Sequence, residues 1–334
     1  MRMRRCRNRA VLPLARVVRV VCALPLLPLA LLAPAPVPAR AATPSFTIVV
    51  LPDTQIATQN HPEYFDAQTQ WIADNRTAHN IRFVIHVGDI VEWPARTSDW
   101  ERARGAMDRL DGKVPYTVAV GNHDMDAWSH GGYDAVAADR GTARFNTYFP
   151  YGVFSSMSTF GGSYPTNASD NAFHRFSAGG IDWLVLTLKY NPTDAELAWA
   201  ANVVATNPMS QVVVDTHDFT DGTTRSTAGQ RIWTTVAGRF ANVSMVISGH
   251  YTNQGYRADA GADGNVVHQV MADYQTYSEP AAAENSYLRL MRFNPDTGTV
   301  DVRTYSPYFN TYKTGVHNQF TIYGVRRGVR AAVP

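Results

Sequence analysis

Five short apolar runs along the chain each stop on polar residues, and the stops are chemically alike. "FTIVVLPDTQ" breaks at Asp53, "IRFVIHVGDIVE" at Asp89, and "VPYTVAVGNHD" at Asn122. "QVVVDTHD" breaks at His217 and "VSMVISGH" at His250. Short length and β-branched content predict buried strands rather than helices. Between the runs the apolar spacing turns helical. Phe65, Trp71 and Ile72 fall near one face of "PEYFDAQTQWIADNRTA". Trp100, Met107 and Leu110 do the same in "SDWERARGAMDRL", where Ser98 is the expected N-cap. "DAELAWAANVVA" and "AGQRIWTTVAGRF" supply helices before the fourth and fifth stops. This alternation implies parallel strands with helices on both faces.

The pattern changes from about residue 265. "VVHQVMADYQ", "SYLRLMRFNPDTGTVDVRTYS" and "NQFTIYG" read as antiparallel strands, with a turn at "NPDTG". A second sheet stacked on the first accounts for them. Residues 125–180, rich in Gly, Ser, Tyr and Phe, are too long for a plain connection and are expected to form a lid or a substrate wall.

The N-terminal segment stands apart. Arg2, Arg4, Arg5, Arg7 and Arg9 form a basic head, an apolar stretch follows from about Val17 to Ala33, and "PARAA" ends it. That is the layout of a secretory signal peptide over residues 1–41, with cleavage expected after Ala41 and residues 42–334 forming one exported, extracytoplasmic domain. The segment carries eight of the 30 basic residues and no acid, leaving 22 basic against 28 acidic residues, a net charge of −6. An acidic balance argues against sequence-independent nucleic-acid binding. Both cysteines, Cys6 and Cys22, lie in the segment, so the domain has neither disulfides nor thiolate metal ligands. Beyond the segment there is no run of the ~20 apolar residues that a membrane span needs.

In open α/β sheets, ligands bind beyond the carboxyl ends of the strands. The stops would gather carboxylate, amide oxygen and imidazole there, all ligands for Mn, Zn or Fe. Gly88, Gly121 and Gly249 each precede a candidate ligand, where the backbone can turn sharply beside an ion. Taken singly, Gly88-Asp89 could be a turn, and His217 or His250 a satisfied core histidine. Five such stops in this order are not what packing alone produces.

Asp53-Thr54-Gln55, Gly88-Asp89, Gly121-Asn122-His123-Asp124, His217 and Gly249-His250 together resemble the calcineurin-like metallophosphoesterase superfamily, over Phe46 to about Thr252. The "LPDTQ" start looks most like a secreted bacterial branch. The resemblance implies a four-layer α/β/β/α sandwich with a mixed central sheet pair, the C-terminal strands fitting its second sheet. It implies two divalent metal ions and a phosphate-ester substrate, either a monoester or a diester, attacked by a metal-bridging hydroxide. Asp89 would bridge the ions, Asn122, His217 and His250 would complete one site, and Asp53 and Gln55 would serve the other. His123 would face the phosphate as a catalytic residue, oriented by Asp124.

Two departures from the pattern fall on one site. Gln55 and Thr252 stand where the family carries histidines, and exchanging imidazole for oxygen favours Mn²⁺ or Mg²⁺ over Zn²⁺ or Fe. Asn253 and His268 are the next candidate ligands there. The same departures support a competing reading, a non-catalytic binding protein on a degenerate phosphoesterase scaffold. Glu92 occupies the position of the iron-binding tyrosine of purple acid phosphatases, which argues against a purple ferric site. His86 either supports Asp89 or packs. Asp215 and Asp218 flank His217, and Tyr251, Tyr274 and Tyr277 belong to a pocket or to the core. His61, His79, His130, His174 and His317 read as surface or packing residues.

Overall fold

A computed structural model describes residues 42–325, so the proposed leader lies outside the described residues. The chain first lays down three parallel strands, β1 (Phe46–Leu51), β2 (Ile81–His86) and β3 (Tyr116–Val118). A second sheet follows with β4 (Phe160–Tyr164), β5 (Asn171–Ala178), β6 (Ile181–Leu188) and β7 (Gln211–Thr216). A small hairpin, β8 (Thr220–Asp221) and β9 (Thr224–Arg225), precedes β10 (Val243–Ser248), β11 (Gln254–Ala260) and β12 (Val266–Ala272). The order in this sheet is β11-β12-β10-β7-β6-β5-β4, with β6, β7, β10 and β12 parallel.

The last strands correct the expectation. β13 (Leu288–Asn294), β14 (Thr299–Ser306), β15 (Thr311–Lys313) and β16 (Gln319–Tyr323) do not form the second sheet; they extend the first, β13 lying antiparallel to β1. Alternation on β13 explains the docking: Leu288 and Leu290 join the helix-covered core, while Met291 and Phe293 join the core between the sheets. A strand apolar on both faces needs a doubly covered position. β12, read as antiparallel, instead runs parallel to β10 and is antiparallel only to β11.

Helices cover only the outer face of each sheet, which corrects the reading of helices on both faces of one sheet. Val49 and Leu51 pack outward with Ala57 of α1 (Gln55–Asn60), Phe65 and Ile72 of α2 (Pro62–Asn75) and Trp100 of α3 (Thr97–Met107). Leu186 and Val214 pack outward with Leu197 and Val204 of a later helix (Asp194–Thr206). Ile48, Val50, Phe83 and Ile85 face inward against Trp183, Val213, Met245 and Ile247. The result is the expected four-layer α/β/β/α sandwich. Each buried aliphatic or phenyl side chain contributes about 1.5–3 kcal/mol of transfer free energy.

Two local readings change. Arg96, not Ser98, is the residue before α3, and Ser98 lies inside its first turn. Residues 125–180 divide: Asn171–Ala178 and Phe160–Tyr164 are strands of the second sheet, and the helix Trp128–Ala138 brings Trp128 and Tyr133 to the strand ends, against His123 and His250. Among the described residues, no helix is long and apolar enough to cross a membrane.

Candidate metal centre

Every sequence-identified ligand follows closely on the carboxyl end of a strand: Asp53 and Gln55 after β1, Asp89 after β2, Asn122 after β3, His217 after β7 and His250 after β10. The turns that carry them are tight. Asp89 and His250 adopt φ of 51° and 75°, a region costly for residues with a β-carbon and concentrated at functional sites. A β-carbon on Gly121 would stand 2.0 Å from Asp89 Oδ1, and one on Gly249 would stand 2.0 Å from Asp53 Oδ1. Glycine at these two positions is a requirement of close approach.

Three ligand atoms converge on His217 Nε2, which lies 3.1 Å from Asp89 Oδ2, 3.1 Å from Asn122 Oδ1 and 3.1 Å from His250 Nδ1. His217 Nδ1 lies 2.9 Å from the Val87 carbonyl, which can only accept, so Nδ1 carries the proton and Nε2 is the ring nitrogen turned to the cluster. Ligand atoms of Asp89, His217 and His250 all lie within 4.8 Å of one another. Burial disfavours ionisation of Asp89, but the His217 and His123 charges outweigh it and hold its carboxyl well below the usual range. Burial likewise lowers His217, yet Asp89 and Asp53 overcome it and raise the imidazole to about 10. His250, buried beside that charge, falls to about 3.

A second group of oxygens adjoins this cluster. Asp53 Oδ2 accepts the His250 amide at 3.0 Å, whereas Asp53 Oδ1 and Gln55 Oε1 are buried with no hydrogen-bond partner. Burial, then the neighbouring Asp273 charge, pushes the Asp53 carboxyl well above its ordinary value. Orphaned buried acceptors are costly unless something positive faces them. Thr252 is exposed and does not join the group. Nor do the other two candidates. His268 pairs with Met245, well before the end of β12, and its Nδ1 meets Tyr256 Oη at 3.0 Å. Asn253 Oδ1 accepts the amide of its neighbour Gln254. The residue that sequence reasoning missed is Asp273, directly after β12 and fully buried.

His123 is brought to the edge of the cluster, with Nε2 4.0 Å from Asp89 Oδ2. Its partner is Glu92 rather than Asp124. His123 Nδ1 lies 2.9 Å from the Glu92 carbonyl and 3.4 Å from Glu92 Oε2. Asp124 instead clamps backbone: Oδ1 accepts from Ile90 N at 2.9 Å and Val91 N at 3.2 Å, and Oδ2 from Gly121 N at 2.8 Å. It ties the turn bearing Asp89 to the turn bearing Asn122. Adjacent residues on a sharp turn diverge, which is why the neighbour of His123 in sequence is not its partner in space. Burial and the Asp89 charge push the Asp124 carboxyl up to about 7, although the three N–H donors favour its ionised form.

The remaining residues divide between support and packing. His86 accepts the Gly88 amide on Nδ1 and meets Thr54 Oγ1 at 2.9 Å on Nε2, linking two ligand turns. Tyr277 Oη donates to both Glu92 oxygens at 3.1 and 3.2 Å, and Gln55 Nε2 lies 3.5 Å from the same hydroxyl. The ring of Trp128 packs tilted against His123, 4.0 Å between centroids, and Tyr190 and Tyr251 lie 5.4 and 4.6 Å from His250. Tyr274 is core, bonded to Thr304. Asp215 and Asp218 are both buried, the first within β7 and the second two residues past its end. His174 is a buried packing residue paired with Thr159.

Comparison with known proteins bears on this arrangement. The Bacillus subtilis (strain 168) protein YvnB is 34% identical over 284 residues, a match covering 81% of this chain; the chain spans about a fifth (21%) of that relative's length. Solved structures share the fold. A dimetal phosphatase from Danio rerio superposes with a TM-score of 0.53 at 12% identity, covering 84% of this chain and 99% of that one. Purple acid phosphatase PPD1 from yellow lupin (Lupinus luteus) seeds gives 0.55 at 13% identity, covering 87% and 56%. The family model for calcineurin-like phosphoesterases matches residues 46–252. That span opens at β1 and closes just past the His250 turn, taking in the strand ends before Asp53, Asp89, Asn122, His217 and His250: the chain belongs to the calcineurin-like phosphoesterase family.

Proposed function

We propose that this domain is a metal-dependent phosphoesterase that hydrolyses phosphomonoesters or phosphodiesters outside the cytoplasm. One observation carries the reading: the convergence of Asp89 Oδ2, Asn122 Oδ1 and His250 Nδ1 on His217 Nε2, joined through the Asp53–His250 hydrogen bond to unpartnered oxygens of Asp53 and Gln55. These donors fit two divalent cations: Asp89, Asn122, His217 and His250 would hold one, and Asp53, Gln55 and Asp89 the other. When bound, such cations supply Lewis acidity, acidifying an attacking water and neutralising charge on the phosphoryl oxygens. The oxygen-rich set around Gln55 favours Mn²⁺ or Mg²⁺.

The chain's own groups do the rest. His217 spends Nδ1–H on the Val87 carbonyl and so keeps Nε2 turned inward. Glu92 holds His123 Nδ1, which leaves Nε2 to protonate a departing ester oxygen or to hydrogen-bond the phosphoryl group. Trp128 covers one face of that ring and excludes water from it. Tyr190 and Tyr251 flank His250 and offer apolar surface to the alcohol portion of a substrate.

Metal analysis together with assays on p-nitrophenyl phosphate and bis-p-nitrophenyl phosphate tests the reading. The Mn²⁺-loaded wild type is expected to hydrolyse at least one of them, and Asp89→Ala to lose both cations and activity. A fully loaded wild type no faster than Asp89→Ala on either ester would favour the binding-protein reading. The export component predicts a mature protein beginning at Ala42; N-terminal sequencing of secreted material that starts at Met1 would refute it.

A further inference from the structure

We propose that Asp273 replaces the imidazole missing at residue 252 and holds the second cation together with Asp53, Gln55 and Asp89. The inference rests on the two-cation reading above and adds a ligand that the family match, ending at residue 252, does not contain.

Position is the first argument. β12 runs parallel to β10 with Ser248 opposite Met271, so Asp273 leaves β12 level with the point where His250 leaves β10. Its backbone N–H donates to the Asn253 carbonyl at 2.9 Å. Asp273 is therefore tied to the loop that carries Thr252, whose own side chain is exposed. The carboxylate comes from the neighbouring strand into the region that residue 252 vacates.

The second argument is what the carboxylate leaves unsatisfied. Oδ1 accepts the Gln275 amide at 2.8 Å, a turn that an asparagine would make equally well. Oδ2 is buried with no hydrogen-bond partner, and the residue is 0% exposed. Asp53 Oδ1 and Gln55 Oε1 are orphaned in the same way, at 4% and 1% exposure of their residues. Both acids border the turn that follows β10: Asp53 Oδ2 accepts the His250 amide, and the Asp273 amide donates to the Asn253 carbonyl. In keeping with that, the Asp273 charge pushes the Asp53 carboxyl up, and the Asp89 charge acts on both in the same direction. A turn explains Oδ1 alone. Three orphaned oxygens and three mutually repelling acids are explained together by a hard divalent cation, which takes oxygen ligands and offsets the repulsion among the acids.

Asp273→Asn keeps the turn and removes the charge. Metal-free wild type and variant are titrated with Mn²⁺ by calorimetry, and the bound ions are counted by elemental analysis and by electron paramagnetic resonance of coupled Mn²⁺ pairs. The wild type is expected to show two sites. The variant is expected to keep the tighter one and to weaken the other by at least ~10-fold, the loss that even indirect partners of metal ligands produce. Without metal, Asp273→Asn should melt no lower than wild type, since a repelling charge is gone, yet gain less from added Mn²⁺. Two sites of wild-type affinity in the variant would overturn the assignment and leave the two-cation reading standing. Fewer than two sites in the wild type would overturn both.

Discussion

Gly121→Ala probes the closest approach in the centre. A β-carbon at this position stands 2.0 Å from Asp89 Oδ1, 2.3 Å from Asp89 N and 2.8 Å from Asp89 Cγ. Heavy atoms settle at about 3.5–4.0 Å, so the Asp89 carboxylate or the Gly121 backbone must move by more than ~1 Å. Neither is free to do so. Asp89 Oδ1 accepts the His123 amide at 2.9 Å, and Gly121 N donates to Asp124 Oδ2 at 2.8 Å. Displacement of a reacting group by ~1 Å costs on the order of 10²-fold in rate, or roughly 2.7 kcal/mol at ~1.36 kcal/mol per factor of ten. Gly121 is not in the left-handed region, so alanine adds no backbone strain and the damage falls on Asp89. Cation content after gel filtration and kcat/KM with excess Mn²⁺ are the measurements, with far-UV circular dichroism to establish that the fold persists. Gly105→Ala is the control. Its β-carbon meets nothing within 4 Å inside α3, so it should gain up to ~1 kcal/mol of stability and keep its activity. Full cation content with wild-type kcat/KM in Gly121→Ala would refute the reasoning, because it would mean that Asp89 can move without consequence.

Other expectations follow from the same geometry. His123→Ala should leave cation content unchanged while lowering turnover by ~10²–10⁴-fold, less on p-nitrophenyl esters, whose leaving group needs little protonation; loss of a bound cation would show that His123 is a ligand. Glu92→Gln should lower kcat more than it raises KM and shift the pH–rate profile, since Glu92 acts through the His123 ring; an unchanged profile would leave Glu92 a structural residue. In chelator, folding stability should decline as pH rises from about 7 to about 10, because the folded value of His217, about 10, exceeds its ordinary 6.5, so the native state binds more protons across that window, where the buried histidines of lowered value are neutral in both states. Thermal melts whose midpoint climbs with pH would contradict this.

The strand ends were legible because each candidate ligand closely follows an apolar run, and a run of that length has few other fates. Asp53, Asp89, Asn122, His217 and His250 are therefore candidates from the pattern, the resemblance supplied their roles, and the structure gathers them. Asp273 follows the same rule, ending "VVHQVMAD", but was hidden by direction. An antiparallel strand would have carried its carboxyl end away from the centre; β12 is parallel to β10 and carries it in. Strand direction depends on distant pairing, and local sequence does not encode it. Glu92 was legible as a residue but not as the partner of His123, since that contact joins turns from two different strands. The placement of β13 was missed for a related reason. Its alternation shows that both faces are buried, yet not which sheet edge buries them.

The centre draws on both sheets. Asp53, Asp89 and Asn122 belong to the first, and His217, His250 and Asp273 to the second. The apolar layer between the sheets is non-directional and resists separation far more than sliding. Cations bound across the shared edge would act as a rivet, converting two stacked layers into one body with a fixed alignment. Shearing one sheet against the other would then require an ion to be surrendered first. In the loaded protein the lifetime of the native state would be governed by ion dissociation as well as by apolar burial, and a chelator would speed unfolding without disturbing a single core side chain.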